Sequence, residues 1–469
     1  MKISLRWLKG HLDTTATPQA LADAFVALGH EVEEILNPLE ALENFVVAQV
    51  LTCQKHPEAD RLSLCTVSDG GERVLTIVCG APNVRAGLKT ILAHEGTVIP
   101  ATGQALKKGK IRGVESEGML CSAQELCLGG ASEGILELSA DAVPGTFATQ
   151  VFADLDVIFD ISLTPNRGDC LSVRGLARDL AALGVGSLKK NQGTTLNNTA
   201  AAHAQVTVET PLCRQFYTRV ITGVNNQATT PVWMAQRLEA AGQRLISPIV
   251  DITNYVCLDR GQPLHAFDHQ VVGDALTVRE AKAGETLVAL DDNTYTLAPG
   301  MIVVADESGP LSLAGVMGGK ASGCSAQTHT IILEAALFDA AAIARTGQKL
   351  NMYTDSRARF ERGVDPASVT DALDLATTLI AEICGGEVGP MTRFERDTPP
   401  RAPLSLALSK VEAYLGCAPT HEAIVRTLNS LGFDVHESGA GRWAVTPPTW
   451  RHDITLDVDV IEEIARLQG

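Results

Sequence analysis

Thr17-Pro-Gln-Ala-Leu-Ala-Asp-Ala-Phe-Val-Ala-Leu-Gly-His-Glu-Val32 returns near the other end of the chain as Thr420-His-Glu-Ala-Ile-Val-Arg-Thr-Leu-Asn-Ser-Leu-Gly-Phe-Asp-Val435. In the first stretch Thr17 is a good helix N-cap and Pro18 fits the first helical position, where its missing N–H costs nothing. Leu21, Phe25 and Leu28 form one apolar stripe, Gly29 fits just past the helix end, and Val32 opens an extended piece. Thr420, Ile424, Leu428, Leu431, Gly432 and Val435 repeat those positions at the same spacing. A second echo follows: Thr164-Pro-Asn-Arg-Gly-Asp169 resembles Pro448-Thr-Trp-Arg-His-Asp453, and each leads to an Ala-Arg pair, at 177–178 and 465–466. The second approach is four residues longer, about one helical turn. Two matched blocks in one order predict a duplicated small module.

The first copy is interrupted between about 40 and 150. That insert reads as short strands between glycine turns: Phe45–Leu51, Leu62–Val67, Val74–Cys79, Lys89–Ala93 and Ile135–Leu138. Strands of this length and spacing predict a small barrel. Residues 191–202 and 397–403 read as linkers, the first polar and aperiodic, the second rich in proline. Between them, 205–385 mixes predicted strands (Gln205–Glu209, Leu276–Glu280, Met301–Ala305, Thr330–Leu333) with helices, one from Thr230-Pro231 to before Gly242 and one over about 367–383.

Within that region, residues 251–268 place Asp251, Thr253, Asn254, His265 and Asp268 among Ile252, Val256, Leu258, Leu264 and Phe267. Gly261 and Pro263 break the backbone just before His265, and a turn there can present the imidazole to a cleft. Flanked by Leu264 and Ala266, that ring is poorly hydrated and its protonation depends on its surroundings. A core histidine with satisfied hydrogen bonds is the alternative.

Composition sets the bounds. At 469 residues, 45% hydrophobic and 20% charged, the chain has material for three or four folded modules. Its net charge of −17 repels phosphate overall, so a nucleic-acid partner requires a local basic patch. Eleven cysteines without a Cys-x-x-Cys pair argue against a disulfide framework and a cysteine-based zinc site. With no signal-peptide core and no apolar run of spanning length, the expectation is a soluble cytoplasmic protein.

A series of blocks then carries a family resemblance. They are His56-Pro-Glu-Ala-Asp-Arg-Leu62, Ile111-Arg-Gly-Val-Glu-Ser-Glu-Gly-Met-Leu-Cys121, Thr164-Pro-Asn-Arg-Gly-Asp-Cys-Leu171 and Val250-Asp-Ile-Thr-Asn-Tyr-Val256. Gly261-Gln-Pro-Leu-His-Ala-Phe-Asp268, Leu313-Ala-Gly-Val-Met-Gly-Gly319 and Arg359-Phe-Glu-Arg-Gly-Val-Asp-Pro366 continue it. In this order they resemble the beta subunits of bacterial phenylalanyl-tRNA synthetases across the whole chain. Those subunits continue beyond this point with a catalytic-like module and an anticodon-binding domain, so the chain resembles their N-terminal portion. The resemblance implies a multidomain α+β protein. Its parts are a split winged-helix-like module (1–39 with 151–190), an inserted OB-fold tRNA-binding barrel (40–150), a central α/β editing domain (205–390) and a second winged-helix-like module (400–469).

It also implies a function: editing hydrolysis of tyrosine mis-esterified to tRNA(Phe), as part of an alpha2-beta2 ligase whose alpha subunit attaches phenylalanine using ATP. A non-catalytic tRNA-binding or assembly scaffold and a free-standing trans-editing hydrolase are the alternatives. An apolar pocket rejects an added hydroxyl only weakly, whereas a polar group placed for that hydroxyl is left unpaired by phenylalanine. Glu334, beside Ile331-Ile-Leu333 and before Ala335-Ala336, is the candidate for that group. Gly315, Thr354 and Ser356 would line the pocket; the family often has alanine where Ser356 stands, and Arg357-Ala358 also departs from its pattern. Arg244, Thr253, Asn254 and His265 match the positions around the ester and terminal adenosine, His265 orienting water or acting as base. Lys107, Lys108, Lys110 and Arg112 form the dense basic cluster of the barrel, with a solvated loop as the alternative. Asp453, Asp459, Glu462 and Glu463 match positions described as Mg2+ ligands near the alpha subunit. Three of them share a helix face at i, i+3 and i+4; an acidic helix start is the alternative.

Overall fold

In the computed structural model the long strand Thr330–Phe338 organises the centre of the chain. All residues are described except 129–132, 192–195, 398, 399, 418 and 469, so the two expected linkers lie partly outside the described residues. The chain divides into two compact units, 1–34 with 159–469 and 35–158. No helix among the described residues is long and apolar enough to cross a membrane.

In the unit 35–158 five antiparallel strands lie in the order Gly118–Cys121, Lys89–His94, Phe45–His56, Ala59–Ser68, Val74–Cys79. The sheet curls until its edges meet: Glu117 N donates to Thr76 O at 2.9 Å, and Val78 N to Ser116 Oγ at 3.1 Å. Val50, Cys65, Val67, Ile77, Leu92 and Leu120 fill the interior. The predicted strand Ile135–Leu138 does not form. The Asn83 amide takes both backbone groups of Ile135 (3.0 and 2.8 Å), so a side chain satisfies what a ladder would have. The closing strand is Gly118–Cys121 instead.

The two ends of the chain fold alike. Lys2–Ser4, Leu5–His11, Pro18–Ala27, Glu31–Leu36, Ile158–Ser162 and Val173–Ala182 run strand, helix, helix, strand, strand, helix. Leu404–Ala407, Leu408–Leu415, His421–Ser430, Asp434–Gly439, Arg442–Thr446 and Asp457–Gln468 repeat that order. Each three-stranded sheet places its third strand in the middle. Thr17 and Thr420 cap the matching helices through Ala20 N and Ala423 N. The hairpin around Ala440-Gly441 occupies the place where the first copy receives its insert.

The four-residue-longer approach inferred for the second copy is not present. Both last helices begin six residues after their arginine, Val173 after Arg167 and Asp457 after Arg451. Arg167 forks onto Asp169 (3.0 and 3.0 Å) and reaches Asp179; Arg451 forks onto Asp453 (2.9 and 2.8 Å) and reaches Glu463. Asp179 therefore corresponds to Glu463, and the repeated Ala-Arg dipeptide is coincidental. Arg466 joins the copies, donating to Asp179 at 3.0 Å and to Glu463 at 2.7 Å. Charges this buried are tolerated only because each is paired.

The central region stacks two sheets. One has the order Leu264–Asp268, Thr330–Phe338, Cys213–Thr222, Glu387–Glu395; the other Gln205–Val208, Ala275–Glu280, Ile302–Asp306, Gly309–Leu313, Met317–Gly318. Phe216, Val220, Phe267, Ile332 and Ala336 face Val278, Ile302, Val304 and Val316 in a shared core. On the opposite face the helix Val369–Ile383 packs, with Arg219 ion-paired to Asp374 at 2.9 Å. Since side chains alternate along a strand, Thr218 and Glu334 point away from that helix, between the sheets.

Candidate editing site and nucleic-acid surfaces

Pro248–Arg260 is a helix, and Gly261 ends it at φ +79°, a left-handed position that suits glycine. Gln262 then ties the turn to the central strand, its amide donating to Ala336 O (3.0 Å) and Pro263 O (2.9 Å). That tie fixes the register, so His265 stands directly opposite Glu334 in an antiparallel pair. His265 is thus a strand residue rather than a turn residue. Glu334 is mid-strand, because the strand runs five residues past the predicted end at Leu333.

Paired antiparallel residues share a face, with Cβ atoms about 4.5–5.5 Å apart. His265 Nε2 is buried without a hydrogen-bond partner among the described residues. Its ring meets Phe267 edge-on at 4.4 Å. Glu334 is 6% exposed, and its carboxyl has no hydrogen bond or ion pair among the described residues. Burial favours the neutral form of both groups: it raises the Glu334 carboxyl to about 8 and lowers the His265 imidazole to about 4. At neutral pH the pair is therefore an uncharged carboxylic acid beside an uncharged imidazole. Such a carboxyl both donates and accepts, which suits a phenol and offers nothing to a phenyl ring.

Facing His265 across the two sheets is Gly318, which was quoted in a sequence block but not singled out. A Cβ there would lie 2.4 Å from His265 Cε1 and 3.0 Å from its Nε2. Gly315, expected to line the pocket, has φ +69°, and a Cβ would crowd Ile343, Phe360 and Phe338. The structure brings Gly315, Thr354 and Ser356 together differently from the expectation of an open lining. Ser356 Oγ donates to Gly315 O (3.0 Å), and Thr354 Oγ1 to Val316 O (2.9 Å), pinning the glycine loop. Thr354 also caps the helix Asp355–Arg362.

The other expected ester-binding residues are not joined to this pair by hydrogen bonds among the described residues. Thr253 Oγ1 donates to Val250 O on its own helix (2.8 Å), and Asn254 is half-buried there. Arg244 is exposed on the preceding loop. A cavity of about 330 Å³, lined by Arg174, Arg178, Arg260, Asp365, Asp371 and Trp450 among others, contains none of the expected editing residues.

In the unit 35–158, Lys107, Lys108, Lys110 and Arg112 are all exposed on or beside a hairpin, Gly109–Ile111 with Val114–Ser116. Arg112 (φ +46°) and Gly113 (φ +86°) form its turn, both left-handed as tight hairpins require. Lys108 pairs with Glu115 at 2.6 Å, so part of the basic cluster is neutralised locally.

The four acids matched to a metal site do not form a cation cage within this chain. Asp453 and Glu463 are held by Arg451. Burial opposes ionisation of Glu463, yet the hydrogen bonds from Arg451 and Arg466 keep its carboxyl below its ordinary range. Asp459 accepts from Thr455 N (2.8 Å) and Leu456 N (2.7 Å) at the start of its helix; Glu462 is exposed. Among the described residues, the one trio of close potential ligands is His30, Cys170 and Asp179. There Asp179 already faces Arg167 and Arg466, which oppose a cation.

These modules define the class: the chain is built from domains of the aminoacyl-tRNA synthetases. Residues 45–147 match a putative tRNA-binding domain, 212–385 a B3/4 domain, and 404–469 a tRNA synthetase B5 domain. The chain belongs to the phenylalanine–tRNA ligase beta subunit family. It is 46% identical over 475 residues to the beta subunit of Novosphingobium aromaticivorans, and 45% over 474 residues to that of Paramagnetospirillum magneticum. In both, all of this chain aligns, and it spans 58% and 59% of the relatives' lengths. A solved N-terminal fragment of the Pyrococcus horikoshii phenylalanyl-tRNA synthetase beta subunit aligns over 69% of this chain and 95% of its own, at 17% identity and TM-score 0.33.

Proposed function

We propose that the central domain hydrolyses the tyrosyl ester of tRNA(Phe), with Glu334 reading the tyrosine hydroxyl and His265 beside it orienting the attacking water. The observation that carries this reading is the cross-strand pair itself, a buried imidazole nitrogen beside a buried glutamate, neither with a hydrogen-bond partner among the described residues. Folding leaves such groups unpaired at a cost in stability, which is the expected signature of a site that a ligand completes. Glu334 supplies a hydroxyl-specific contact, so phenylalanine leaves it unsatisfied and binds less well. Gly318 leaves room for the imidazole, and Gly315 lets its loop pack against Ile343, Phe360 and Phe338. Gly315, Thr354 and Ser356 shape the pocket, while Arg244, Thr253 and Asn254 serve the ester and terminal adenosine from the helix and loop ahead of His265.

The basic hairpin of residues 107–112 is the proposed tRNA contact of the 35–158 unit. In the complete enzyme the chain would assemble with the alpha subunit as alpha2-beta2, ATP and the ligation step lying at the alpha subunit. A Mg2+ ion near Asp453, Asp459, Glu462 and Glu463 would need ligands from that partner, because two of these acids are already neutralised by Arg451. No step of the hydrolysis is routed through it.

The test is deacylation of Tyr-tRNA(Phe) by the purified chain. His265→Ala and Glu334→Ala should each slow it at least about tenfold, the cost of losing one buried polar contact. Unchanged rates in both variants would refute the site.

A further inference from the structure

The His265–Glu334 pair does not end at the central strand. On the other side of Glu334, directly opposite it on the strand Cys213–Thr222, stands Thr218. The three residues form one row across three adjacent strands, and paired positions put all three side chains on the same face, between the sheets. Thr218 is fully buried, and its Oγ1 has no hydrogen-bond partner. The next residue in the row, Thr392, differs: its hydroxyl donates to Ala204 O at 2.9 Å. The run of unsatisfied polar groups is therefore Thr218, Glu334 and His265, and it stops there.

A hydroxyl at position 218 is not explained by packing. Valine has nearly the same shape and would bury no orphan donor in this apolar row beside Phe216 and Val220. What the hydroxyl can reach is Glu334. The two residues are direct cross-strand partners, whose Cβ atoms stand about 4.5–5.5 Å apart, and rotation about χ1 would turn Oγ1 toward the Glu334 carboxyl.

We propose that Thr218 is a positioning residue of the editing pocket, whose hydroxyl hydrogen-bonds the Glu334 carboxyl and aims its free oxygen at the tyrosine hydroxyl. The assignment rests on the editing reading above and adds a residue to it. In this arrangement Glu334 is held from one side by Thr218, while the substrate hydroxyl takes the other. Without the Thr218 hydroxyl the carboxyl loses its cross-strand hydrogen-bonding neighbour on that side and can adopt rotamers that miss the phenol. The contact acts through Glu334 alone, so it bears on tyrosine and not on phenylalanine.

The test compares Thr218→Val with Thr218→Ser, using the full chain with Tyr-tRNA(Phe) and Phe-tRNA(Phe) as substrates. Thr218→Val should lower kcat/KM for the tyrosyl ester about tenfold, the factor for one hydrogen bond, and leave the slower phenylalanyl reaction within about twofold. Thr218→Ser, which keeps the hydroxyl, should retain the preference for tyrosine. In Glu334→Gln the valine substitution should add little, because two residues acting as a unit are not additive. If Thr218→Val keeps the tyrosine preference while His265→Ala and Glu334→Ala lose activity, the role of Thr218 is refuted and the editing reading stands. Equal losses in the valine and serine variants on both substrates would show a structural role only and also overturn it. If all variants match the unmodified chain, the editing reading itself fails.

Discussion

Glu334 and His265 are adjacent residues whose charge states are decided by the same burial. Raised to about 8, the Glu334 carboxyl is neutral in the folded chain and ionised in the unfolded one over most of the range between 4.5 and 8. Its contribution to stability is fully present below about 4.5 and is lost as pH rises through about 8. His265 works the other way: lowered from 6.5 to about 4, its contribution is present above 6.5 and is lost as pH falls through about 4. Glu334→Gln should therefore flatten the fall in Tm between pH 5 and pH 8. A variant whose Tm falls as much as the parent's would show that Glu334 is not neutral in the fold. Gly318→Val is a second prediction at this scale. Its side chain would occupy the place of the imidazole edge, 2.4 Å from Cε1, so deacylation should fall tenfold or more with far-UV circular dichroism unchanged. An active, folded valine variant would remove Gly318 from the site.

At the scale of elements, the repeat was readable because it rests on local chemistry. Threonine caps, an apolar stripe and a closing glycine are decided within one helix, and both copies show them. The register of the last helices was not readable, since Arg167–Asp179 and Arg451–Glu463 are set by folding and not by dipeptide similarity. The central strand was read too short for a related reason. Both of its faces are buried, so Ile331 to Phe338 shows no alternation, and a glutamate looked like an end. Thr218 carried no signal at all, because its partner lies 116 positions away and only the sheet register joins them. The ion network has its own prediction. Removing one member leaves uncompensated buried charge, so Arg451→Ala should cost about 3–5 kcal/mol in urea unfolding. Replacing Arg451, Asp453 and Glu463 together by apolar residues should cost less than the single change. A single-variant loss under about 1 kcal/mol, the value of an exposed pair, would show the network to be solvated.

Taken whole, the chain joins a net charge of −17 to the tRNA contact proposed for it. The phosphate contact proposed for it is local, an exposed basic hairpin that forms its own two-stranded sheet. If Lys107, Lys110 and Arg112 contact phosphates, neutralising the three should weaken tRNA binding. The slope of log K against log salt should then drop by about 2–3 units, following counterion release. An unchanged slope would assign the hairpin to solvent. The family and the module order were legible because many short blocks agree along all 469 residues. The geometry within the central domain was legible only in part: the sequence singled out His265 and Glu334 but not the register that pairs them, and among the described residues Arg244, Thr253 and Asn254 are not hydrogen-bonded to them.

The central claim is that an uncharged Glu334 paired across strands with His265 discriminates tyrosine from phenylalanine by one hydroxyl. The most direct measurement is the ratio of kcat/KM for Tyr-tRNA(Phe) over Phe-tRNA(Phe), for the chain and for Glu334→Ala. A ratio of roughly 100 or more that collapses toward 1 in the variant is the predicted result, the size expected when a buried polar group is left unpaired. A ratio that survives the loss of Glu334, or that is near 1 from the outset, would contradict it.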